Sequence, residues 1–267
     1  MPVTKEDICK VIEEAGITDK YVCIHSSLKS FGHVQGGANA IISAFLEKGC
    51  TLLAPSFTYD FQIPPLEDIE QNARMDEDEF EPSGRIYTSD INDIVSDMGA
   101  IPRAMLNTAG RHRGIHPTNS FVALGPGAKG LAGCQTPENV YAPFQMMMDK
   151  RGYIVMMGVD LTKMTAIHYS EQLSGRELFV RWALDLSGEP VRMREGGCSE
   201  GFNNLSASVA GLEKQIVAGN SLWRIFPIYE TVRTCADAIK QDAGITHCID
   251  NNCNYCSAMQ KGGPILD

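Results

Sequence analysis

The chain has 267 residues, 43% of them apolar and 21% charged, with a formal net charge of -10 at pH 7. That balance suits an α/β protein with a large buried core, and the acidic surface disfavours nucleic acid or an anionic membrane as partner. No apolar run approaches the roughly 20 residues that cross a bilayer, and MPVTKEDICKVIEEAG carries charges where a signal peptide needs an apolar stretch, so a cytoplasmic location is expected.

Residues 4–15 set Ile8, Val11 and Ile12 among Lys and Glu, with Gly16 behind them, and predict a helix. Tyr21-Val22-Cys23-Ile24-His25 predicts a short strand. It runs into Ser26-Ser27-Leu28-Lys29-Ser30-Phe31-Gly32-His33-Val34-Gln35-Gly36-Gly37, before a helical pattern at Ile41, Ile42, Phe45 and Leu46. Strand, small-residue loop and helix in that order present backbone N–H groups and hydroxyls to an anion. Neither a GxGxxG nor a Gly-Lys-Ser/Thr ending is present, so the loop carries no dinucleotide or nucleoside-triphosphate signature.

Thr51–Pro55 predicts the next strand. Phe57, Tyr59, Asp60 and Phe61 then follow where ligands of open α/β sheets collect, beyond the carboxyl ends of strands. Residues 67–81 hold Glu67, Asp68, Glu70, Asp76, Glu77, Asp78, Glu79 and Glu81 against Arg74, a run that resists burial and could draw in a cation. A helix over 101–106 opens at Pro102. After it, Arg111-His112-Arg113-Gly114-Ile115-His116 concentrates basic groups in an acidic chain. Arginine is the preferred bidentate partner of phosphate, which adds Arg111 and His116 to the candidate anion contacts.

Residues 121–125 predict a strand, 128–131 a helical turn and 137–149 a capped segment whose methionines fill the core. The apolar run 153–157 predicts a buried strand broken by Gly158 and Asp160. From Met164 onward a helical turn sets Thr165, His168 and Glu171 three residues apart on one face. Histidine is suited to take a proton near neutral pH, and a carboxylate at that spacing can fix its tautomer. Beyond it, residues 178–186 and 190–194 suggest antiparallel strands, and 205–217 is weakly helical.

Nine cysteines, an odd number, favour reduced thiols over a disulfide framework. His247, Cys248, Cys253 and Cys256 are residue types that bind zinc, but the spacing is not that of paired ligands, and no metal is assigned.

Three blocks carry a family resemblance: HSSLKSFGHVQGGANAIISAF with GCTLLAPSFTYDF, then RHRGIHPTNSFVALGPGAKGL, then GYIVMMGVDLTKMTAIHYSE. In their order the sequence resembles the aminoglycoside 3-N-acetyltransferases. The resemblance implies layered α/β/α architecture around a mixed central sheet with a smaller antiparallel elaboration, distinct from the common small acetyltransferases. It implies one domain over 1–267, with a candidate sub-lobe from about residue 172.

For chemistry, it implies acetyl transfer from acetyl-coenzyme A, without a metal, to the 3-amino group of the 2-deoxystreptamine ring of a cationic aminoglycoside. His168 is then the general base, with Thr165 beside it and Glu171 or Glu200 behind it. Ser26, Ser27, Ser30, Phe31, Gly32, His33, Val34 and Gly36 belong to the coenzyme loop. Independently of the resemblance, position beyond a strand end and charge make Phe57, Tyr59, Asp60 and Glu171 the candidate contacts of the amine substrate. One departure is Met164, where the family usually has asparagine, and it bears on substrate range. A different amine acceptor, a non-catalytic coenzyme binder, and metal-dependent hydrolysis through His25, His33 or His116 stand as alternatives.

Overall fold

The computed structural model describes residues 2–73 and 84–266, so the acidic run expected over 67–81 lies partly outside the described residues. The strands are β1 (Tyr21–Ser26), β2 (Thr51–Pro55), β3 (Gln62–Ile63), β4 (His112–Arg113), β5 (Phe121–Leu124), β6 (Tyr153–Met157), β7 (Phe179–Leu184), β8 (Pro190–Glu195), β9 (Lys214–Ala218) and β10 (Ser221–Pro227). The helices are α1 (Lys5–Ala15), α2 (Gly37–Glu47), α3 (Ala100–Leu106), α4 (Ala128–Gly133), α5 (Ala142–Asp149), α6 (Ala166–Leu173), α7 (Ser206–Val209), α8 (Ile228–Gln241) and α9 (Asn254–Gln260).

A seven-stranded sheet runs β4-β5-β2-β1-β6-β10-β9, and β3-β7-β8 form a second, antiparallel sheet. In the large sheet β1 is parallel to β2 and β6, while β5 and β10 are antiparallel to their inner neighbours, which makes the sheet mixed.

Side-chain alternation along these strands builds two cores. Val22, Ile24, Leu52, Val155, Met157 and Trp223 face one layer with α1, α2 and α3. Cys23, Leu53, Ile154, Met156 and Phe226 face the other with α4, α5, α6 and α8. Trp223 anchors the first, stacked on Phe45 at 5.7 Å and edge-on to Phe31 at 6.1 Å. Such aromatic pairs add about 0.5–1.5 kcal/mol beyond the area they bury.

The fold departs from the sequence expectation in its last third. The pattern over 205–217 predicts helix, but α7 is four residues long and 214–218 is an edge strand. Its burial alternates, with Ile216 and Ala218 turned inward, and the two-residue Gly219-Asn220 connection to β10 has the composition of a tight hairpin. The 14-residue α8 packs on α6 and buries Ile228, Val232, Cys235 and Ile239. No helix among the described residues is long and apolar enough to cross a membrane.

Candidate active site

The parallel strands β1, β2 and β6 all point their carboxyl ends to one side of the sheet, where the chain leaves as Ser26, Pro55 and Met157. A cleft of about 550 Å³ opens there. Its lining includes Ser26, Ser27 and Lys29 from the loop after β1, Phe57 and Tyr59 after β2, and Thr165 and His168 on the segment after β6. Such a position, beyond the strand ends, is where open α/β sheets bind ligands.

Local geometry after β6 explains how the histidine reaches the cleft. Gly158 has φ of 66°, and a Cβ there would collide with Ser30 Oγ, so glycine lets this turn pass under the serine loop. Asp160 then caps a short 3₁₀ turn by accepting from the Thr162 backbone N–H at 3.0 Å and its hydroxyl at 2.6 Å. The chain re-enters helix at Thr165, and His168 and Glu171 follow one turn apart.

The His168 Nδ1–H donates to Glu171 Oε2 at 2.8 Å. That bond fixes the tautomer and leaves Nε2 as the acceptor on the cleft side. Glu171 is 2% exposed, and its other oxygen accepts from Arg176 at 2.8 Å and from the Thr246 hydroxyl at 3.2 Å. Both oxygens are thus occupied within the protein. The expected second role of Glu171 as a substrate contact is not supported, because it serves His168. Glu200 is exposed and makes no bond to the imidazole, so the carboxylate behind His168 is Glu171.

The imidazole is also clamped by its surroundings. Tyr141 lies parallel to it at 6.2 Å and Phe202 meets it edge-on at 4.8 Å. A Cβ on Gly196 would run into His168 Cγ. The Gly196 N–H donates to the buried Tyr141 hydroxyl at 3.0 Å, which holds this backbone against the ring. Gly196→Ala should therefore push the ring aside and lower turnover by about 10²-fold, the scale expected for a displacement near 1 Å. Steady-state kinetics with circular dichroism of the same sample checks this.

A second buried carboxylate, Glu195, lies next to that glycine. It accepts from the Thr118 hydroxyl at 3.1 Å and pairs with Arg181 at 3.2 Å. Burial pushes its carboxyl above the usual range, and the Arg181 guanidinium draws it partly back. Cys23 is fully enclosed, and burial pushes its thiol well above the ordinary range.

With this geometry in place, the similarity to known proteins becomes specific. The profile of the aminoglycoside 3-N-acetyltransferase family matches residues 23–233. The chain belongs to that family.

Aminoglycoside N(3)-acetyltransferase IX of Micromonospora chalcea is 29% identical over 181 residues, covering 65% of this chain and 63% of the relative. Aminoglycoside N(3)-acetyltransferase VII of Streptomyces paromomycinus is 26% identical, over 65% and 62%. The chain thus spans about three-fifths of the length of the curated relatives it matches. Among solved structures, the apoenzyme of aminoglycoside acetyltransferase AAC(3)-IVa superposes with a TM-score of 0.78 at 19% identity, over 98% of each chain. The Bacillus subtilis protein YokD gives 0.77 at 23% identity, over 91% of this chain and 95% of its own. These likenesses establish the layered fold.

Within this acetyltransferase fold the predicted residues divide. Ser26, Ser27, Phe57, Tyr59, Thr165 and His168 line the cleft, whereas Phe31 and Val34 are in the core and Gly32, His33 and Gly36 are exposed on the way to α2. Ser30 bonds Ser221 Oγ at 2.7 Å, and Asp60 pairs with Arg85 at 4.0 Å outside the lining.

Arg111 is not an anion contact. It donates to the carbonyls of Leu106, Ser89 and Asp90 and to Asn92 Oδ1 at 2.6–2.9 Å. Arg113 likewise takes the carbonyls of Ile91, Asp93 and Ser56. The basic cluster therefore ties down the segment that leads to Ser96–Met98, another wall of the cleft.

His116 is fully buried as well. Its Nδ1 accepts from the Asn119 N–H at 3.0 Å and its Nε2–H donates to the Arg194 carbonyl at 2.8 Å. Burial pushes its pKa from 6.5 down to about 4. Between those values the unfolded chain binds a proton that the folded chain refuses, so this contribution to stability is complete above the unfolded pKa and is lost as pH falls. His116→Asn should flatten the rise of urea stability with pH by about 1.4 kcal/mol per unit between about pH 4.5 and 6. Denaturation curves at several pH values measure that slope.

Sequence reasoning missed Arg176, Thr246, Tyr141, Gly196 and the cleft residues Asp97, Lys163 and Asn119. The paired glycines at 196 and 197 were the one sequence mark of a close approach. Two buried polar atoms of the lining, Ser26 Oγ and Asn119 Oδ1, have no partner within the protein, which is costly unless a ligand supplies one.

Proposed function

We propose that the protein transfers the acetyl group of acetyl-coenzyme A to the 3-amino group of a 2-deoxystreptamine aminoglycoside, directly and within a ternary complex. The observation that carries this is the buried His168–Glu171 pair, at 2.8 Å, set on the wall of the cleft with Nε2 free. The family supports it: a structural neighbour, AAC-IIIb, is a binary complex with CoASH, and shares the fold at a TM-score of 0.74 and 17% identity, over 90% of this chain and 97% of its own.

In this reading the amine nitrogen attacks the thioester carbonyl carbon as His168 Nε2 takes its proton. The tetrahedral intermediate collapses with cleavage of the carbon–sulfur bond, and the same proton passes to the departing coenzyme A sulfur. In the same reading the hydroxyl of Thr165, a residue of the cleft lining, donates to the developing oxyanion. Lys29 and Lys163, both in the cleft lining with Ser26 and Ser27, are the cations that would meet the coenzyme's phosphates. Asp97 and Tyr59 offer the amine a carboxylate and an aromatic face. Acetylation of a 4,6-disubstituted aminoglycoside, followed by release of free coenzyme A and by NMR assignment of the product, tests the reaction and its position.

One observation favours a second acceptor class. Asp97 is the single carboxylate among the described lining residues, which also include Lys29 and Lys163, and that balance suits an amine of lower charge than a polycationic antibiotic. Turnover of simple amines in the absence of any turnover with 2-deoxystreptamine compounds would establish that reading instead.

A further inference from the structure

Four thiols meet next to the loop whose Gly196 presses on His168. The sulfur atoms of Cys198, Cys248, Cys253 and Cys256 lie within 4.8 Å of one another, Cys256 buried and the other three half-buried. All are free thiols. No other group of three or more histidine, cysteine or acidic donors close enough to share an ion is found among the described residues.

We propose that Cys198, Cys248, Cys253 and Cys256 are the ligands of a structural zinc ion that staples that loop to the C-terminal segment. Zinc–thiolate bonds of about 2.3 Å in a tetrahedron put sulfurs about 3.8 Å apart, so the present cluster needs only a small contraction. Soft thiolates select zinc over magnesium or calcium, and four protein ligands leave no open position for catalysis. The site is therefore separate from the chemistry in the cleft.

Chain geometry agrees with a closed site. Cys253 and Cys256 straddle the start of α9, and the Cys248 N–H donates to Cys256 Sγ at 3.4 Å. His247 lies next to Cys248 but is not a member of the cluster. Cys198 comes from about fifty residues earlier, directly after the Gly196-Gly197 pair that presses on the imidazole. The two segments already touch backbone to backbone: a Cβ on Gly201 would collide with the Thr246 carbonyl oxygen. Thr246 in turn bonds Glu171 and Arg176. Metal at this junction would hold both sides of the His168–Glu171 pair at once.

The test uses the full chain, purified without an affinity tag that binds metal and without chelators. Elemental analysis should find about one zinc per chain, and Cys198→Ser and Cys253→Ser should each lose most of it. Cys134→Ser, a half-buried thiol outside the cluster, should keep it. In parallel, the reduced, metal-stripped wild type is titrated with cobalt(II), which gives intense visible bands when four thiolates surround it. That arm needs no variant to fold. Absence of zinc together with absence of those bands overturns the proposal, as does zinc retained in full by both ligand variants. Formation of disulfides within the cluster in place of metal uptake by the reduced protein would overturn it as well.

Discussion

Replacing His168 with alanine should lower kcat by about 10²–10⁴-fold, the range contributed by a positioned general base, and should also cost about 1–3 kcal/mol of stability, the penalty for stranding a buried acceptor. The structural cost follows from the site. His168 is buried at the cleft wall between Tyr141 and Phe202 and is the donor to Glu171 Oε2, while the other oxygen of Glu171 keeps Arg176 and Thr246. The kinetic cost follows from the reaction, because an alkylammonium ion is not a nucleophile and the amine must give up a proton to become an amide. Coenzyme A release under saturating substrates, with melting curves of the same preparation, separates the two quantities. A folded variant that turns over at the parental rate would move the proton acceptor elsewhere, and Glu195, buried beside Gly196, would be the next carboxylate to replace.

The parts of this arrangement that could be read in the sequence are those set by short-range periodicity. β1, β2 and β6 are buried on both faces and so appear as apolar runs that stop at Ser26, Pro55 and Gly158. Thr165, His168 and Glu171 were legible because a helix repeats its faces every three to four residues. What closes the site is long-range. Arg176 meets Thr246 across seventy residues, and Gly196 reaches His168 from the loop that leaves β8.

The basic segment shows a different limit. A guanidinium has five donors, and backbone carbonyls satisfy them as well as phosphate does. Which of the two Arg111 and Arg113 meet depends on where residues 89–93 run, and no local pattern encodes that. The same holds for the thiols, since Cys198 joins the other three only in the folded chain.

The buried ion pair behind the base gives the second large effect. Arg176→Met should destabilise the protein by about 3–5 kcal/mol, because it leaves the Glu171 carboxylate 2% exposed without its cation. Glu171→Gln strands the guanidinium in the same way. Combining the two removes both charges, and such apolar or neutral replacement of a buried pair is often close to neutral in stability, so the double variant should recover most of the loss. Activity should not recover with it. A neutral amide in place of the Glu171 carboxylate cannot stabilise a protonated imidazole to the same degree, and kcat should stay at least about tenfold down, a difference of about 1.4 kcal/mol in the barrier. Urea denaturation of the two single variants and the double, beside their kcat values, therefore distinguishes the two duties of Glu171. Stability that returns without activity assigns the carboxylate to the imidazole, whereas recovery of both together would make the pair a packing element alone.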